Sequence, residues 1–495
     1  MLGKKTNRNQ TYEFVLLDDL VPDNHLVRKL DKHIDFTFIY DLVEPLYCKD
    51  NGRPSIDPVM LFKMVFISYI FGIRSMRRTV EEIRLNMAYR WFLGLRISED
   101  VPHFSTFGKN YERRFKHTTV FQDIFDEIVR QALSHGLIEA KEFFTDSTHL
   151  KANANKKKYH KGHVLKDAKK YTDELTQEVN KERAQLGKKP IDNDDDDDDN
   201  SSALGNESNI KERKISKTDP ESGYLYRPGK PEGFYYLEHR TVDGKANVII
   251  DSHVTPGNVH DTQPFIQRVH SIHKRFGFWP KIFALDAGYV SNEISHFLVS
   301  NNIYGVFGYK RRGGAKNAQG FNKKKFLYIK MHDYFVCPED HILTYRNIRK
   351  DGNKEYRAAK GTCQSCPARK FCLSPSQKSK LLTRHLWEDD YDQLMENKKT
   401  DYGKALYRRR GETVERSFAD SKELHTLRYI RYRGLSKATM QTLLTSACQN
   451  MKKIANHLDN ISCFEVFKVD ISNVLSTFKK FFKSKIKTPI HAFLG

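Results

Sequence analysis

Three short segments of this chain each present one carboxylate in a distinctive setting: FFTDSTH around Asp146, IFALDAGY around Asp286, and RRRGETVERSFADSK around Glu415. The first two segments are apolar, strand-like runs that end at the aspartate, and the third has the pattern of a helix. A single aspartate after a strand is commonly a turn residue or a helix cap. Two such strands are expected to lie side by side, however. With the helix, they predict an α/β core in which three carboxylates meet.

Three converging carboxylates suit two divalent metal ions bound to a phosphodiester. Hard cations such as Mg²⁺ prefer oxygen ligands, which Asp and Glu supply. Two such ions, about 3.5–4 Å apart, can activate a nucleophile and stabilise the leaving oxygen. The chain has 84 Lys and Arg residues against 62 Asp and Glu residues, so its net charge is +22. This surplus favours nucleic acid as the partner, with a membrane surface as the alternative.

The 495 residues of the chain exceed what one hydrophobic core usually holds, so about two to four domains are expected. The most apolar run, residues 58–73, is short and contains Lys63, which favours a buried helix over a membrane span. The first residues lack the apolar core of a signal peptide. Seven cysteines without such a signal indicate reduced thiols. These features predict a cytoplasmic, nucleoid-associated protein that has no contact with membranes.

Residues 1–125 have the pattern of a helical domain, with Asp57 and Ser75 as N-cap signals. Arginines scattered among these helices favour a helix-turn-helix-like DNA-binding domain, and an ordinary small bundle with a basic face is the alternative. At the other end of the chain, residues 458–495 form a basic tail.

The α/β core is predicted over residues 138–310 and 386–457. Its order is strand, insertion, hairpin, helix, strand, helix, strand, which is typical of a mixed sheet with helices on its faces. The hairpin is indicated by Asp243-Gly244, a dipeptide that favours a tight two-residue turn. Residues 155–225 are predicted to be a polar insertion and solvated linker. Six consecutive aspartates within it repel one another and cannot build a core.

Residues 311–385 contain four cysteines in the pattern Cys-x25-Cys-x2-Cys-x5-Cys, namely Cys337, Cys363, Cys366 and Cys372. Four thiolates suit a tetrahedral Zn²⁺ ion, and an iron–sulfur cluster or four unlinked thiols are the alternatives. A structural Zn²⁺ is the favoured interpretation. It would hold together an insertion too small for a core of its own.

The three carboxylate segments resemble the catalytic signatures of DDE transposases from bacterial insertion sequences, in a cysteine-containing branch. The similarity covers most of the chain, including residues 57–115 and the stretch TDPESGYLYRPGKPEGFYYLEHRTVDGKANVIIDSHVTPGNVHDT. The resemblance implies a multidomain α/β protein: an RNase H-like mixed-sheet catalytic core, a helical N-terminal DNA-binding domain and a Cys-rich insertion. It also implies that Asp146, Asp286 and Glu415 are catalytic ligands of Mg²⁺ or Mn²⁺.

One motif departs from the family pattern. Related transposases often carry Tyr-x2-Arg-x3-Glu-x6-Lys, and Glu415 and Lys422 keep the last spacing. Tyr407 and Arg410 keep the first spacing but lie one residue too far upstream, because Gly411 occupies the expected arginine position.

Basic and aromatic residues around this motif are expected to contact DNA: Lys422, Arg408, Arg410 and Tyr407. Arg408 is included because it lies seven residues before Glu415, on the same face of a continuous helix. A further polar pair, His260 and Asp261, matches a recurrent feature of the family without an assigned role.

The sequence as a whole predicts a DNA transposase that cleaves and joins DNA at insertion-sequence ends by two-metal phosphodiester chemistry. Its partners would be terminal inverted repeats and target DNA. A homodimer on DNA is expected, because two ends must be held together. The alternatives are a non-catalytic DNA-binding protein derived from a transposase, and a metal-dependent nuclease without strand transfer.

Overall fold

The computed structural model describes residues 14–48, 55–165, 173–191, 210–226, 231–308 and 321–485. None of the helices within these ranges is long and apolar enough to cross a membrane. The aspartate run and the last ten residues of the predicted basic tail lie outside the described residues.

The described residues form helices and strands that we number in chain order. The helices are α1 (Leu26–His33), α2 (Phe38–Val43), α3 (Pro58–Ile70), α4 (Met76–Leu85), α5 (Met87–Leu93), α6 (Ser105–Asn110), α7 (Val120–Ser134), α8 (Asp173–Gln185), α9 (Phe265–Phe276), α10 (Asn292–Ser300), α11 (Arg369–Cys372), α12 (Glu388–Asn397), α13 (Asp401–Arg409), α14 (Arg416–Leu424) and α15 (Leu435–Lys485). The strands are β1 (Glu142–Lys151), β2 (Tyr159–Leu165), β3 (Ile210–Ser216), β4 (Gly223–Leu225), β5 (Gly233–Asp243), β6 (Ile249–Pro256), β7 (Ile282–Leu285), β8 (Tyr304–Phe307), β9 (Leu327–Ile329), β10 (Tyr334–Val336), β11 (Ile342–Ile348), β12 (Asn353–Ala358) and β13 (Leu381–His385).

The N-terminal part of the chain is helical, as the sequence predicted. The side chain of Asp57 caps α3 by accepting a backbone hydrogen bond at 2.8 Å. Ser75 caps α4 in the same way at 3.3 Å. Each cap satisfies a backbone N–H that has no partner inside its helix. The helices continue to the end of α7 at Ser134.

Six strands form a mixed sheet in the order β4-β5-β1-β7-β8, and β6 pairs with β5. β1 runs antiparallel to β5 and parallel to β7. Helices cover both faces of this sheet. Two adjacent residues of β5 show this, because neighbouring side chains in a strand point to opposite faces. Thr241 accepts a hydrogen bond from Arg268 on α9, while Arg240 donates to Ser417 on α14. The predicted mixed α/β core is confirmed, with its two aspartate-bearing strands side by side.

Two local predictions within this core are wrong in detail. Asp146 does not follow its strand but lies inside β1, which continues to Lys151 because its pairing with β5 continues. The hairpin of β5 and β6 exists, but its turn is not the tight dipeptide turn. Asn247, rather than Gly244, has a positive φ of 56°. The Asp243 carboxylate accepts backbone hydrogen bonds from Ala140 and Lys245, both at 2.9 Å, and so ties the turn to the start of β1.

The polar insertion differs from the expected solvated linker over its described residues. β2 and β3 form an antiparallel pair, and β4 joins the main sheet. On α8, Leu175 and Val179 are buried against Ile348 and Trp387. Because these two apolar residues are four apart, they lie on one helix face and find an apolar partner surface.

The cysteine-containing region forms a five-stranded antiparallel sheet in the order β13-β12-β11-β10-β9. Its buried side chains include Phe335, Leu343, Tyr356 and Leu382. This region therefore has a small apolar core of its own, contrary to the expectation that it is too small for one.

The largest apolar cluster joins the N-terminal helices, the main sheet and α15. α15 packs against α1, α3, α7 and β6. Phe62 on α3, Phe283 on β7 and Leu444 on α15 all belong to this cluster. The two ends of the chain thus share a core that supports the sheet.

Candidate active site

β1 and β7 place Asp146 and Asp286 beside each other. The parallel pairing ends at Thr145↔Leu285, so the next residue on each strand is the aspartate. A third strand supports the loop after Asp286, because a Cβ on Gly308 would come within 2.5 Å of the Ala287 backbone nitrogen. Only glycine permits so close an approach. The sheet therefore brings the first two predicted carboxylates together.

Glu415 reaches this site from a helix that Arg240 anchors. Arg240 is fully buried on β5 and lies opposite Asp146 in the register of β5 and β1. Its guanidinium donates to the side-chain oxygens of Ser417 and Ser421, each at 2.8 Å. The strand that pairs with Asp146 therefore also fixes the helix that follows Glu415.

This anchor and its partner, Glu238, were not predicted from the sequence. The two side chains pair at 2.6 Å and are fully buried. Ser252 also donates a hydrogen bond to Glu238 at 3.0 Å. The signal was present in the segment LEHRTV, because charged residues in a strand predicted to be buried must be paired.

Arg410 lies at the centre of the three carboxylates. Its Nη2 atom is 2.8 Å from Asp146 Oδ2, and its Nη1 atom is 3.5 Å from Asp286 Oδ1 and 3.7 Å from Glu415 Oε1. The Arg410 side chain is 3% exposed, whereas Asp286 and Glu415 are 44% and 54% exposed. Arg410, expected as a DNA contact, is therefore buried against the carboxylates.

A π-helical turn at Gly411–Glu415 explains the departure from the family spacing. The Glu415 N–H donates to the Arg410 carbonyl oxygen five residues earlier, at 3.1 Å. Such a turn accommodates one extra residue within a helix. Tyr407 is thereby carried into the site, where its hydroxyl donates to Asp286 Oδ1 at 3.4 Å. The one-residue departure from the family spacing therefore does not prevent Tyr407 and Arg410 from reaching the carboxylates.

Burial raises the pKa of Asp146 to about 6. The Arg410 guanidinium and the Ser147 backbone N–H oppose this rise, while the carboxylates of Asp286 and Glu415 add to it. Desolvation disfavours the charged form of a carboxyl group, and neighbouring negative charges act in the same direction. The Arg410 guanidinium therefore favours the ionised form of Asp146 against the effect of burial.

The other predicted DNA contacts, Lys422 and Arg408, differ in their surroundings. Lys422 donates to Thr148 Oγ1 at 2.6 Å, and burial lowers the pKa of its ammonium group. Arg408 is exposed on α13. His260 is exposed and interacts with Thr262, whereas Asp261 lies against the loop after Asp286. A Cβ on Gly288 would come within 2.4 Å of the Asp261 carboxylate.

The four arginines of α4 and α5 fall into two groups. Arg77, Arg78 and Arg84 are exposed on α4, as a DNA-binding face requires. Arg90 is buried and donates to the backbone carbonyl of Glu99, so it supports a turn.

The donor set fits hard divalent cations, but the carboxylates do not form a metal-binding group in this structure. Within the described ranges, no cluster of three or more His, Cys, Asp or Glu side chains is arranged to hold a metal ion. At the carboxylates, the guanidinium of Arg410 lies where a cation would bind. Metal binding by Asp146, Asp286 and Glu415 stays a prediction.

The four cysteines line one small pocket, although they too lack a metal-binding arrangement. Burial raises the pKa of the Cys372 thiol, and the thiols of Cys363, Cys337 and Cys366 raise it further against the effect of Lys380. Mutual repulsion of this kind is relieved when thiolates bind a cation. The Zn²⁺ site is therefore not confirmed and stays a prediction.

Two family models match parts of the chain. The model described as Transposase domain (DUF772) matches residues 15–113, and the model described as Transposase DDE domain matches residues 336–455. The second segment contains Glu415, whereas Asp146 and Asp286 lie outside both segments.

Among solved structures, the chain is similar to a piggyBac transposase synaptic complex with hairpin DNA, determined by cryo-EM. The identity is 11%, and the alignment covers 94% of this chain and 80% of that chain with a TM-score of 0.33. No curated protein matches the chain.

Proposed function

We propose that this chain, which matches a transposase domain over residues 15–113 and a transposase DDE domain over residues 336–455, cleaves and joins DNA at the ends of an insertion sequence. The observation that carries the proposal is the convergence of Asp146, Asp286 and Glu415, from distant parts of the chain, around one guanidinium. We assign the main sheet and its helices to an RNase H-like catalytic core.

Asp146, Asp286 and Glu415 would hold the metal ions, Mg²⁺ or Mn²⁺. When bound, these ions would supply an activated nucleophile and a stabilised leaving oxygen. The protein's own contribution is position: the pairing of β1 with β7 aligns two carboxylates, and Arg240 fixes the helix that follows the third. Tyr407 orients Asp286 by hydrogen bonding.

DNA would bind across the basic surface around this site. Lys422 contacts Thr148 on β1, two residues after Asp146, Arg408 is exposed on α13, and α4 presents exposed arginines from the N-terminal helices. The net charge of +22 would attract the DNA backbone. We propose terminal inverted repeats and target DNA as ligands, a homodimer on DNA that holds two ends together, and action at the nucleoid.

The cysteine pocket is proposed as a structural Zn²⁺ site. Cys337, Cys363, Cys366 and Cys372 line one pocket, and together they offer the four sulfurs of a tetrahedral Zn²⁺ site. Zinc content of the purified protein tests this assignment. About one equivalent that is lost in Cys363→Ser supports it, and a zinc-free protein that is fully folded contradicts it.

The catalytic proposal is tested with DNA that carries both flanks of the gene. The protein is incubated with this DNA and Mg²⁺ or Mn²⁺, beside Asp286→Asn and the control Asp401→Asn, whose carboxylate is fully exposed on α13. Metal-dependent breaks at matched flanking sites are expected for the wild type and the control, and none for Asp286→Asn.

Joined products distinguish a transposase from a nuclease without strand transfer. Tight binding of the flanks by all three proteins with no cutting would instead favour a non-catalytic DNA-binding protein.

A further inference from the structure

Arg410, at the end of α13, and Arg240, on β5, are both buried, and they are held in different ways. Arg240 donates to serine, glutamine, glutamate and backbone oxygens, which occupy its guanidinium nitrogens. In Arg410, the Nε atom has no hydrogen-bond acceptor among the described residues, and the Nη2 atom forms an ion pair with Asp146 at 2.8 Å that lacks hydrogen-bond geometry. Only its Nη1 atom makes hydrogen bonds, to the Tyr407 hydroxyl at 3.2 Å and to Asp286 Oδ1 at 3.5 Å. Fewer directional bonds therefore hold Arg410 than hold Arg240.

The charge balance at Arg410 is also incomplete. Its guanidinium supplies one positive charge to the carboxylates of Asp146, Asp286 and Glu415, which carry three negative charges when ionised. The guanidinium lies between the carboxylate oxygens that a divalent cation would use. The positive charges of the guanidinium and of such a cation repel each other at this distance. Arg410 and a divalent cation therefore compete for one set of ligands.

A phosphate group is a better partner for this guanidinium than the carboxylates are at present. Arginine donates two parallel hydrogen bonds to phosphate oxygens, and Arg410 has unused donors for them. The residue after it, Gly411, leaves open space, because a Cβ there would meet nothing nearer than Glu415 Oε2 at 4.0 Å. The Nε and Nη2 atoms of Arg410 are buried, so the side chain has to turn outward to present them to a phosphate.

We propose that Arg410 is an exchangeable counter-cation: it holds the three carboxylates together in the free protein, and it gives them up to divalent cations when a DNA phosphate draws it away. Metal binding would thereby require substrate. This inference rests on the proposed function. Arg410 thereby has a positioning role in the free protein, in addition to the DNA contact predicted from the sequence.

The test is direct titration of the full-length protein with Mn²⁺ by calorimetry, without DNA and with a duplex from DNA flanking the gene. The proteins are the wild type, Arg410→Gln and Arg416→Gln. Arg416 is the matched control, because it adjoins Glu415 but is 70% exposed and pairs with Asp420 at 3.0 Å. Asp286→Asn identifies binding at the carboxylates.

The wild type is expected to bind Mn²⁺ weakly alone and tightly with the duplex. Arg410→Gln is expected to bind Mn²⁺ without DNA at least about tenfold more tightly than the wild type, which corresponds to about 1.4 kcal/mol. The duplex should then add little to its affinity. Arg416→Gln should behave as the wild type, and Asp286→Asn should lose the binding.

Equal or weaker Mn²⁺ binding by a folded Arg410→Gln protein would overturn the inference. If Arg410→Gln does not fold, Arg410→Lys is measured instead. Because lysine keeps the positive charge, the inference requires that this variant bind Mn²⁺ weakly without DNA. Tight Mn²⁺ binding without DNA would refute it. A different result would contradict the proposed function itself: none of the proteins binds Mn²⁺, with or without the duplex, and the wild type does not cut DNA.

Discussion

At the scale of single residues, the candidate site depends on buried charges that hold one another. Arg240 and Glu238 are both fully buried and lie two residues apart on β5. Removing one member of such a pair leaves the other charge in a low-dielectric interior without compensation, which costs more than the pair itself contributes. The position of the helix that follows Glu415 therefore rests on a pair that is sensitive to substitution.

We predict that Arg240→Met lowers the free energy of unfolding by about 3–5 kcal/mol, because Glu238 is left buried and unpaired. The double variant Arg240→Met/Glu238→Gln should recover a large part of the loss. Urea unfolding followed by circular dichroism measures both effects. Arg78→Met is the control, because its pair with Glu82 is exposed and should change stability by less than about 0.5 kcal/mol. Equal losses in the two single variants would contradict the prediction.

The sequence could indicate the carboxylates but not the residue between them. Asp146, Asp286 and Glu415 each stand in a local pattern that a reader of the sequence can recognise. The burial of Arg410 depends on contacts between segments that are far apart in the chain, so no local pattern specifies it. The role of Arg240 is partly predictable. A charge inside an apolar strand indicates that a buried partner exists, but it does not identify the helix that Arg240 anchors.

At the scale of elements, the π-turn determines how α13 meets the carboxylates. An α-helix advances by about 100° per residue, so one extra residue in a regular helix would turn Tyr407 and Arg410 away from Asp286. The π-turn at Gly411–Glu415 absorbs that residue locally.

Deletion of Gly411 is therefore predicted to preserve the site. It would restore the Tyr-x2-Arg-x3-Glu spacing within a regular helix and remove a glycine that costs about 1 kcal/mol relative to alanine. The melting temperature should be unchanged or higher, and DNA cutting should persist. Insertion of an alanine after Gly411 is the matched opposite change, and it should abolish cutting. Loss of cutting in both variants would show that the π-turn itself is required.

A second element contact is predicted to make stability depend on pH. His425, after α14, donates from Nδ1 to the Tyr69 carbonyl oxygen of α3 at 2.8 Å. Burial lowers its pKa to about 4 from 6.5. The unfolded chain then binds the proton more readily, so stability is full above pH 6.5 and falls as the pH drops toward 4, by up to about 3 kcal/mol.

His425→Gln keeps a hydrogen-bond donor but does not titrate, so it should flatten this part of the stability profile. Thermal melting from pH 4 to pH 7 measures the slope. His457→Gln, at an exposed position of α15, is the control and should leave the slope unchanged. An unaltered slope in His425→Gln would assign the pH dependence to other groups.

Elements with strong local patterns were predictable, and their endings were less so. The sequence identified β7, α10 and the helical N-terminus, because apolar periodicity and caps are local. It ended β1 at Asp146, since a polar residue looks like a boundary when the pairing strand is unknown. It also took residues 155–225 for a linker, because the partner surface of α8 lies far along the chain at Ile348 and Trp387.

At the scale of the whole molecule, the N-terminal helices depend on the end of the chain. The buried residues of α15 include Leu444 and Met451, and α15 packs on α1, α3 and α7. Without α15, these helices would expose a continuous apolar surface, which favours aggregation.

We therefore predict that residues 1–134 alone will not melt cooperatively. Fusing residues 435–458 to this fragment through a flexible Gly/Ser linker should restore a cooperative transition, because it returns the missing apolar face. Circular dichroism during heating compares the two proteins. A cooperative transition in the unfused fragment, at the temperature of the fusion, would contradict the shared core.

The order of the three carboxylates along the chain also has a consequence in time. Asp146 and Asp286 emerge from the ribosome long before Glu415 and the helix that Arg240 anchors. A growing chain therefore has no complete site until nearly all of it has been made, although its basic N-terminal segment is already present. Under the proposed function, the protein would be unable to cut DNA during its own translation. A message broken before the codon for Glu415 would yield only chains that cannot cut.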